Sequence, residues 1–207
     1  MIKVDNLVIT NKPNKKIWKY LKDIDANHVF GIDKGAVFLN KKNYYMDFVA
    51  GDFDNMTFSD RQIIDKYNGE IKFLSKEKDV TDLEYMLKHI GNKEVLAYVS
   101  GNRYDHFLTQ LSLLNNFDKL IIISDAYEIK KLSKGKHEIV NNNNYKYFGV
   151  FATDKSIITI QGAKYNIEKT NIDSSSTSFC SNEFTEKQLT IEVLKGFVFL
   201  LKNKDDN

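Results

Sequence analysis

The segment DFVAGDFDN, Asp47–Asn55, joins a short apolar run to a glycine and two closely spaced aspartates. Comparable apolar runs recur along the first two thirds of the chain: VDNLVIT, HVFGID, EIKFLS, EVLAYVSG and KLIIISD. Strands that are apolar at nearly every position are typical of a parallel sheet covered on both faces. The pattern therefore predicts one buried parallel strand for each run.

Amphipathic segments lie between these runs, and their spacing predicts helices. The clearest candidates are Lys15–Lys22, Phe58–Lys66, Thr81–Ile90 and Asp105–Asn115. Alternation of buried strands and helices favours an α/β fold with a mostly parallel sheet flanked by helices, of the Rossmann-like kind.

The pattern changes after about Ser124. Segments with a period of two and many aromatic residues replace the helical ones, as in YKYFGVFAT, SIITIQGAKYNIEK and QLTIEVLKGFVFLLK. They predict a smaller C-terminal all-β domain, sandwich-like in architecture. We expect an α/β domain over residues 1–130 and a β domain over residues 131–207.

The last apolar segment, Leu189–Leu201, fits either a strand or a helix by composition. Gly196 weakens a helix interior, so a strand is favoured. In that strand, one face would carry Ile191, Val193, Phe197 and Phe199.

Composition limits the function classes. The chain has 207 residues, and its 30 Lys and Arg against 28 Asp and Glu give a net charge of +2, which offers no bulk charge for a nucleic-acid or membrane partner. The single cysteine, Cys180, suits a reducing compartment. No stretch resembles a signal peptide or a membrane span, so we expect a soluble cytoplasmic protein.

Charged residues cluster where the predicted strands end, which is the edge where open α/β sheets bind ligands. These residues are Asp33, Asp52, Asp54, Asp79, Asp82, Arg103, Asp105 and His106. So many carboxylates in one crevice would repel each other without a cation. Their oxygen donors favour Mg²⁺ over Zn²⁺.

Neither a P-loop pattern nor a G-x-G-x-x-G turn is present, so phosphates would be held by Mg²⁺, by helix N-termini and by basic side chains. Lys34, Lys78 and Arg103 are placed for this role, and arginine can grip phosphate oxygens with two donors. Structural explanations also exist. A D-x-D pair is often a turn, and Thr81 or Asp79 would serve as an ordinary helix N-cap.

The ordered set of motifs resembles the thiamine pyrophosphokinase (thiamin diphosphokinase) family. The family pattern D-G-G-A, G-D-F-D-S, K-D-x-T-D, G-R-x-D-H and S-N-E corresponds here to DKGA from Asp33, GDFDN from Gly51, KDVTDLE from Lys78, GNRYDH from Gly101 and CSNE from Cys180. A family G-x-K-Y turn corresponds to GAKY from Gly162. Lys34, Asn55 and Asn102 depart from the pattern, but no acidic position is lost.

The resemblance implies an enzyme that transfers diphosphate from ATP to thiamine, giving thiamine diphosphate and AMP, and that works as a homodimer. On this basis Asp52, Asp54, Asp79 and Asp82 would hold Mg²⁺, and Asp54 or Asp82 would accept the hydroxyl proton of thiamine. We expect the catalytic residues to be Asp52, Asp54, Asp82 and Arg103.

The resemblance also assigns substrate contacts. Those to the nucleotide would come from Asp33, Lys34, Lys78, Thr81, Arg103, Asp105 and His106. Those to thiamine would come from Ser178, Ser181 and Asn182, whose composition would equally suit an ordinary β-turn.

Two other functions are compatible with the residues alone. One is a different Mg²⁺-dependent phosphotransferase or phosphohydrolase that acts on a small alcohol or a nucleotide. The other is a non-catalytic module that binds Mg²⁺ and nucleotide. Arg103 and the lysines favour the first, because they supply the phosphate-binding groups that a bare metal pocket lacks.

Overall fold

The computed structural model describes residues 2–54, 56–100, 103–141 and 145–204. The chain forms two compact units, Met1–Asp125 and Ala126–Asn207. The predicted boundary after residue 130 lies inside a strand, Tyr127–Val140, that belongs entirely to the second unit.

Unit 1 alternates strands and helices. Its elements are β1 (Lys3–Ile9), α1 (Lys15–Leu21), β2 (Asp25–Ile32), α2 (Lys34–Lys41), β3 (Phe48–Gly51), α3 (Phe58–Asp65), β4 (Glu70–Phe73), α4 (Asp82–Ile90), β5 (Val95–Tyr98), α5 (Tyr104–Asn116) and β6 (Leu120–Ile123). The strands pair in parallel in the order β4-β3-β2-β1-β5-β6. The predicted α/β fold with a mostly parallel sheet is confirmed.

The central strands are apolar because both of their faces are covered. Every residue of β3 and of β5 is buried, and the last four residues of β1 are buried as well. In contrast, β4 at the edge of the unit 1 sheet carries exposed Glu70 and Lys72. Charged side chains on such a strand discourage pairing with another chain.

Helix α2 is absent from the predicted helices. Its segment KGAVFLNK is buried over Gly35–Leu39, so its polar face is too short to reveal a helical period. Gly35 has a specific role, because a Cβ there would lie 1.9 Å from the carbonyl oxygen of Ile9. The glycine therefore lets α2 approach the end of β1.

Unit 2 consists of antiparallel strands. They are β7 (Tyr127–Val140), β8 (Tyr147–Phe151), β9 (Ser156–Gln161), β10 (Ile167–Ile172), β11 (Asn182–Glu183) and β12 (Gln188–Asn203). The long strand β12 pairs with β7 along its length, with β9 through its first half and with β8 through its second half. Side chains from these strands form a separate apolar core.

The strand prediction for Leu189–Leu201 is confirmed by β12, but the four residues predicted to share one face do not all share it. Ile191, Val193, Val198 and Leu200 belong to the apolar core of unit 2, whereas Phe197 and the buried Phe199 lie outside that cluster. Pairing is irregular between Val193 and Phe197, where Gly196 has a φ of 74°. Such a bulge shifts the alternation by one residue, and a strand pattern cannot show it.

None of the helices among the described residues is both long enough and apolar enough to cross a membrane.

Candidate active site

A cleft of about 400 Å³ opens in unit 1 where the strand order changes direction. From β1 the chain adds β2, β3 and β4 on one side of the sheet and β5 and β6 on the other. Crevices at such switch points are where α/β sheets bind ligands. The cleft, which we name the switch-point cleft, is lined by Thr10, Asn11, Ile32, Asp33, Lys34, Thr81, Asp82, Leu83, Val99, Ser100, Arg103, His106, Thr109, Gln110 and Leu113.

Three half-buried carboxylates meet at one side of this cleft. One oxygen each from Asp33, Asp52 and Asp82 lies within 4.8 Å of the others. Asp33 follows β2, Asp52 follows β3, and Asp82 is the first residue of α4. Three segments distant in sequence thus form one group, which we name the acidic triad.

Asp33 is held in an unusual conformation. Its φ is 45°, its backbone N–H donates to the carbonyl of Ala50 (3.2 Å), and its Oδ1 accepts from the N–H of Phe53 (3.1 Å). A Cβ on Gly51 would lie 2.0 Å from Oδ1 of Asp33, so only glycine fits at that position. The turn after β3 therefore fixes the orientation of the Asp33 carboxylate.

The carboxyl group of Asp33 has a raised proton affinity. Burial is the largest cause, and the charges of Asp82 and Asp52 add to it, so the pKa of Asp33 rises to about 6 despite the hydrogen bond from Phe53.

Lys78 lies against two members of the acidic triad. Its Nζ is 3.1 Å from Asp82 Oδ1 and 3.5 Å from Asp52 Oδ2, and it donates to the carbonyl of Ser75 at 2.8 Å. Burial opposes the charged form of Lys78, but contacts with Asp82 and Asp52 outweigh it and raise the pKa of Lys78. Three carboxylates with one ammonium leave this part of the cleft acidic.

The acidic triad fits a hard divalent cation. Oδ1 of Asp82 is buried and accepts no hydrogen bond from the described residues, since Lys78 meets it as a charge and not in hydrogen-bond geometry. Lys78 supplies one positive charge against three carboxylates, and a divalent cation would neutralise the negative charge that remains. Carboxylate oxygens are the donors that Mg²⁺ prefers.

Two carboxylates predicted for this site lie outside the acidic triad. Asp54 is exposed and sits 3.6 Å from Lys76, and Asp79 is exposed as well. The alternation of a strand does not extend to Asp52 and Asp54, because β3 ends at Gly51 and Phe53 has a φ of 53°. Asp52 Oδ1 instead accepts from the N–H of Asp54 at 3.2 Å, which closes a local turn.

The start of α5 carries a charged pair, Arg103 and Asp105, of which Arg103 lines the cleft. Arg103 is the N-cap residue, and its guanidinium donates from two nitrogens to the carboxylate of Asp105. These bonds lower the pKa of Asp105 to about 2. His106 is exposed beside them, whereas Gly101 and Asn102 of the same motif lie outside the described residues, as does Asn55.

The remaining nucleotide candidates lie at helix N-termini. Lys34 is the exposed first residue of α2. Thr81 is the N-cap of α4, and its hydroxyl accepts from the N–H of Glu84 at 3.1 Å. Both residues line the switch-point cleft. Thr81 therefore caps a helix and also lies where a ligand of the cleft could contact it.

The predicted thiamine residues are divided between two cavities of unit 2. Ser178 and Asn182 line one of about 340 Å³, together with the rings of Phe148, Tyr165 and Phe179. Ser181 lines another of about 360 Å³. Asn182 also has a structural role, because its amide bonds to the backbone N–H and C=O of Tyr165 at 3.0 and 2.8 Å.

Several cleft residues were not among the sequence candidates. Thr10 and Asn11 follow β1, Ser100 follows β5, and Thr109 and Gln110 face the cleft from α5. The first three could have been found, since they too follow predicted strands. Thr109 and Gln110 could not, because nothing in an amphipathic helix marks which polar residues face a cleft.

Two family models match the chain. "Thiamin pyrophosphokinase, catalytic domain" matches residues 19–123, and "Thiamin pyrophosphokinase, vitamin B1 binding domain" matches residues 136–198. The chain belongs to the thiamin pyrophosphokinase family. The predicted family and enzyme class, a thiamine diphosphokinase, are thereby confirmed, and the matched segments lie in unit 1 and unit 2 respectively.

Individual relatives agree with the family models. A thiamine pyrophosphokinase of Bacillus subtilis (strain 168) is 29% identical over 185 residues, which cover 84% of this chain and 86% of the relative. A crystal structure of thiamine pyrophosphokinase from Bacillus subtilis superposes with a TM-score of 0.81 at 25% identity, covering 97% of this chain and 100% of that one. One from Geobacillus thermodenitrificans has a TM-score of 0.82 at 19% identity, covering 100% and 99%, and shows likeness of fold.

Proposed function

We propose that ATP binds in the switch-point cleft and that its diphosphate passes to the hydroxyl of thiamine, giving thiamine diphosphate and AMP. The observation that carries this proposal is the acidic triad with Lys78 beside it, at the edge of the sheet where nucleotides bind in α/β folds. The strand order on both sides of β1 supports a Rossmann-like description of unit 1.

In this proposal the acidic triad holds Mg²⁺. When bound, Mg²⁺ neutralises charge on the phosphate oxygens of ATP, which is most of what phosphoryl transfer requires. Asp33 replaces Asp54 and Asp79 among the expected ligands, because its carboxylate is the one that shares the group with Asp52 and Asp82.

The basic groups of the cleft would position the triphosphate. Lys78, beside the acidic triad, would contact phosphate oxygens next to the metal-binding carboxylates. Arg103 lines the cleft at the start of α5, and its planar guanidinium suits a phosphate group; Asp105 holds it through two hydrogen bonds. Thr81 and Lys34 present two helix N-termini, which favour anions.

We assign proton acceptance to Asp54. It lies two residues from Asp52 yet outside the acidic triad, so its carboxylate is not needed for the metal. A carboxylate within reach of the thiamine hydroxyl would take its proton as the oxygen attacks the β-phosphorus.

Thiamine would occupy the unit 2 cavity lined by Ser178 and Asn182. The rings of Phe148, Tyr165 and Phe179 offer flat apolar surface to a heteroaromatic ring, while the hydroxyl of Ser178 offers a hydrogen bond. Ser181 lines the other cavity of unit 2 and would not contact thiamine in this position. A sandwich-like unit 2, a homodimer and a cytoplasmic location complete the proposal. The family resemblance supports the first two, and the single cysteine suits the third.

The test is direct. Purified protein is incubated with ATP, Mg²⁺ and thiamine, and AMP and thiamine diphosphate are measured by chromatography. Equal release of both products, absent without thiamine and without Mg²⁺, is the expected result. AMP formation that is independent of thiamine, or that proceeds with other small alcohols instead, would show that the acceptor is wrong.

A further inference from the structure

The loop between β1 and α1, residues 10–14, forms one wall of the switch-point cleft through Thr10 and Asn11. A wall made of a loop has to be held in place if it is to bind a ligand well, because ordering it on binding costs free energy. The neighbouring strands provide the groups that hold it.

Tyr98, the last residue of β5, contacts this loop at two points. Its carbonyl accepts from the N–H of Thr10 at 3.1 Å, and its hydroxyl lies 3.4 Å from the carbonyl of Lys12. The side chain is 1% exposed, so its orientation is fixed by packing.

Asp125 holds the other end of the loop. Its Oδ1 accepts from the N–H of Asn14 at 3.2 Å and from the hydroxyl of Tyr98 at 3.1 Å. Asn14 in turn caps α1, because its Oδ1 accepts from the N–H of Ile17 at 2.8 Å. Contacts at Thr10, Lys12 and Asn14 thus secure the loop at alternate residues.

The Tyr98 hydroxyl remains a donor at all working pH values. Burial and the neighbouring charge of Asp125 both raise the pKa of Tyr98 above its usual value. The phenol therefore keeps the proton that it donates to Asp125.

We propose that Tyr98 and Asp125 are positioning residues that hold the loop of residues 10–14 in its ATP-binding shape. They set the affinity for ATP and leave the chemical step unchanged. This inference rests on the proposed function, in which ATP occupies the switch-point cleft.

The first test is Tyr98→Phe, which keeps the ring and the carbonyl contact with Thr10 but removes the hydroxyl. KM for ATP and the Kd measured by titration calorimetry should rise on the order of tenfold, the effect of losing a hydrogen bond to a charged group. The value of kcat and the KM for thiamine should not change. Hydrogen exchange of the amides of Thr10, Asn11, Lys12 and Asn14 should become faster.

Two further variants sharpen the result. Asp125→Ala should reproduce the effect of Tyr98→Phe, and Asp125→Asn, which keeps an acceptor oxygen, should restore most of the affinity. Tyr67→Phe is the matched control, because it also removes a hydrogen-bonded tyrosine hydroxyl, that of a partly buried residue bonded to the carbonyl of Met46 at 2.7 Å, and should leave KM for ATP unchanged.

The inference is overturned if Tyr98→Phe binds ATP as tightly as the parent protein, or if kcat falls as much as kcat/KM. Faster exchange in the loop with unchanged ATP affinity would also overturn it. A parent protein that forms no AMP from ATP and thiamine would contradict the proposed function instead. Calorimetric ATP binding, which needs no turnover, would still decide the role of the loop.

Discussion

Replacing Asp33 with asparagine should stabilise the protein at pH 8 without Mg²⁺ and greatly weaken its stabilisation by Mg²⁺. Asparagine suits the site sterically, because its amide oxygen can still accept from the N–H of Phe53 and its backbone tolerates the φ of 45°. The substitution therefore removes the charge of Asp33 and little else.

The magnitude follows from the pKa of Asp33, which rises from 3.8 to about 6 on folding. The folded state then binds the proton more tightly than the unfolded state, so stability falls as pH rises through this window and is lowest above pH 6. The full shift corresponds to about 3 kcal/mol. Because Asp33 is partly exposed to solvent, we expect a gain of about 1–2 kcal/mol for Asp33→Asn at pH 8.

The assay is urea denaturation of both proteins at pH 8 and pH 5, with and without Mg²⁺. The stability gap should narrow at pH 5, where folded Asp33 is mostly protonated. Mg²⁺ at ten times its Kd should stabilise the parent protein by about 1.4 kcal/mol and the variant much less.

Asp65→Asn serves as the control, since Asp65 is an exposed carboxylate paired with Arg61 on α3 and should not change the Mg²⁺ response. The reasoning is refuted if Asp33→Asn is less stable than the parent at pH 8 without Mg²⁺, or if it keeps the full response to Mg²⁺.

Four further substitutions test the proposed ATP and thiamine sites. Asp52→Asn should lower kcat/KM on the order of a hundredfold and abolish Mg²⁺ binding, whereas Asp54→Asn should lower kcat and leave Mg²⁺ binding intact. Calorimetry measures Mg²⁺ binding by both variants. An equal loss of binding in the two would show that Asp54 is also a metal ligand. Gly51→Ala should destabilise the protein by about 1–3 kcal/mol in urea titrations, because the added Cβ meets the Asp33 carboxylate; unchanged stability would contradict the close contact. Asn182→Ala should raise KM for thiamine and lower the free energy of unfolding by about 1–3 kcal/mol, because its two bonds to the backbone of Tyr165 are lost, while KM for ATP stays constant. A matching rise in KM for ATP would argue against a separate thiamine cavity.

Much of the fold could be predicted because its strands carry a strong local signal. Buried parallel strands such as FVAG and VLAY are apolar throughout, and the change to period-two segments marks the second unit. Helix α2 and the bulge at Gly196 escaped prediction for a shared reason. Both depend on contacts with other segments, the first on the end of β1 and the second on the partner strands of β12.

The candidate site divides in the same way. Asp33, Asp52 and Asp82 could be selected from the sequence, since each follows a recognisable strand or begins a helix. The exclusion of Asp54 from the acidic triad could not, because it depends on the turn that Phe53 makes toward Asp33. Asp79 is excluded because it lies exposed in the segment before α4.

The order of apolar runs and charged motifs along this chain was enough to indicate an α/β enzyme of the thiamin pyrophosphokinase family. Strands, helix starts and candidate metal-binding side chains depend on residue types that are close together in the sequence, so they can be recognised from the sequence alone. Which carboxylates come close enough to hold a cation together depends on distances between residues of different segments, such as Asp33 and Asp82. Those distances arise only when the folded sheet brings the strand ends together, as does the contact of Tyr98 and Asp125 with the loop beside the cleft.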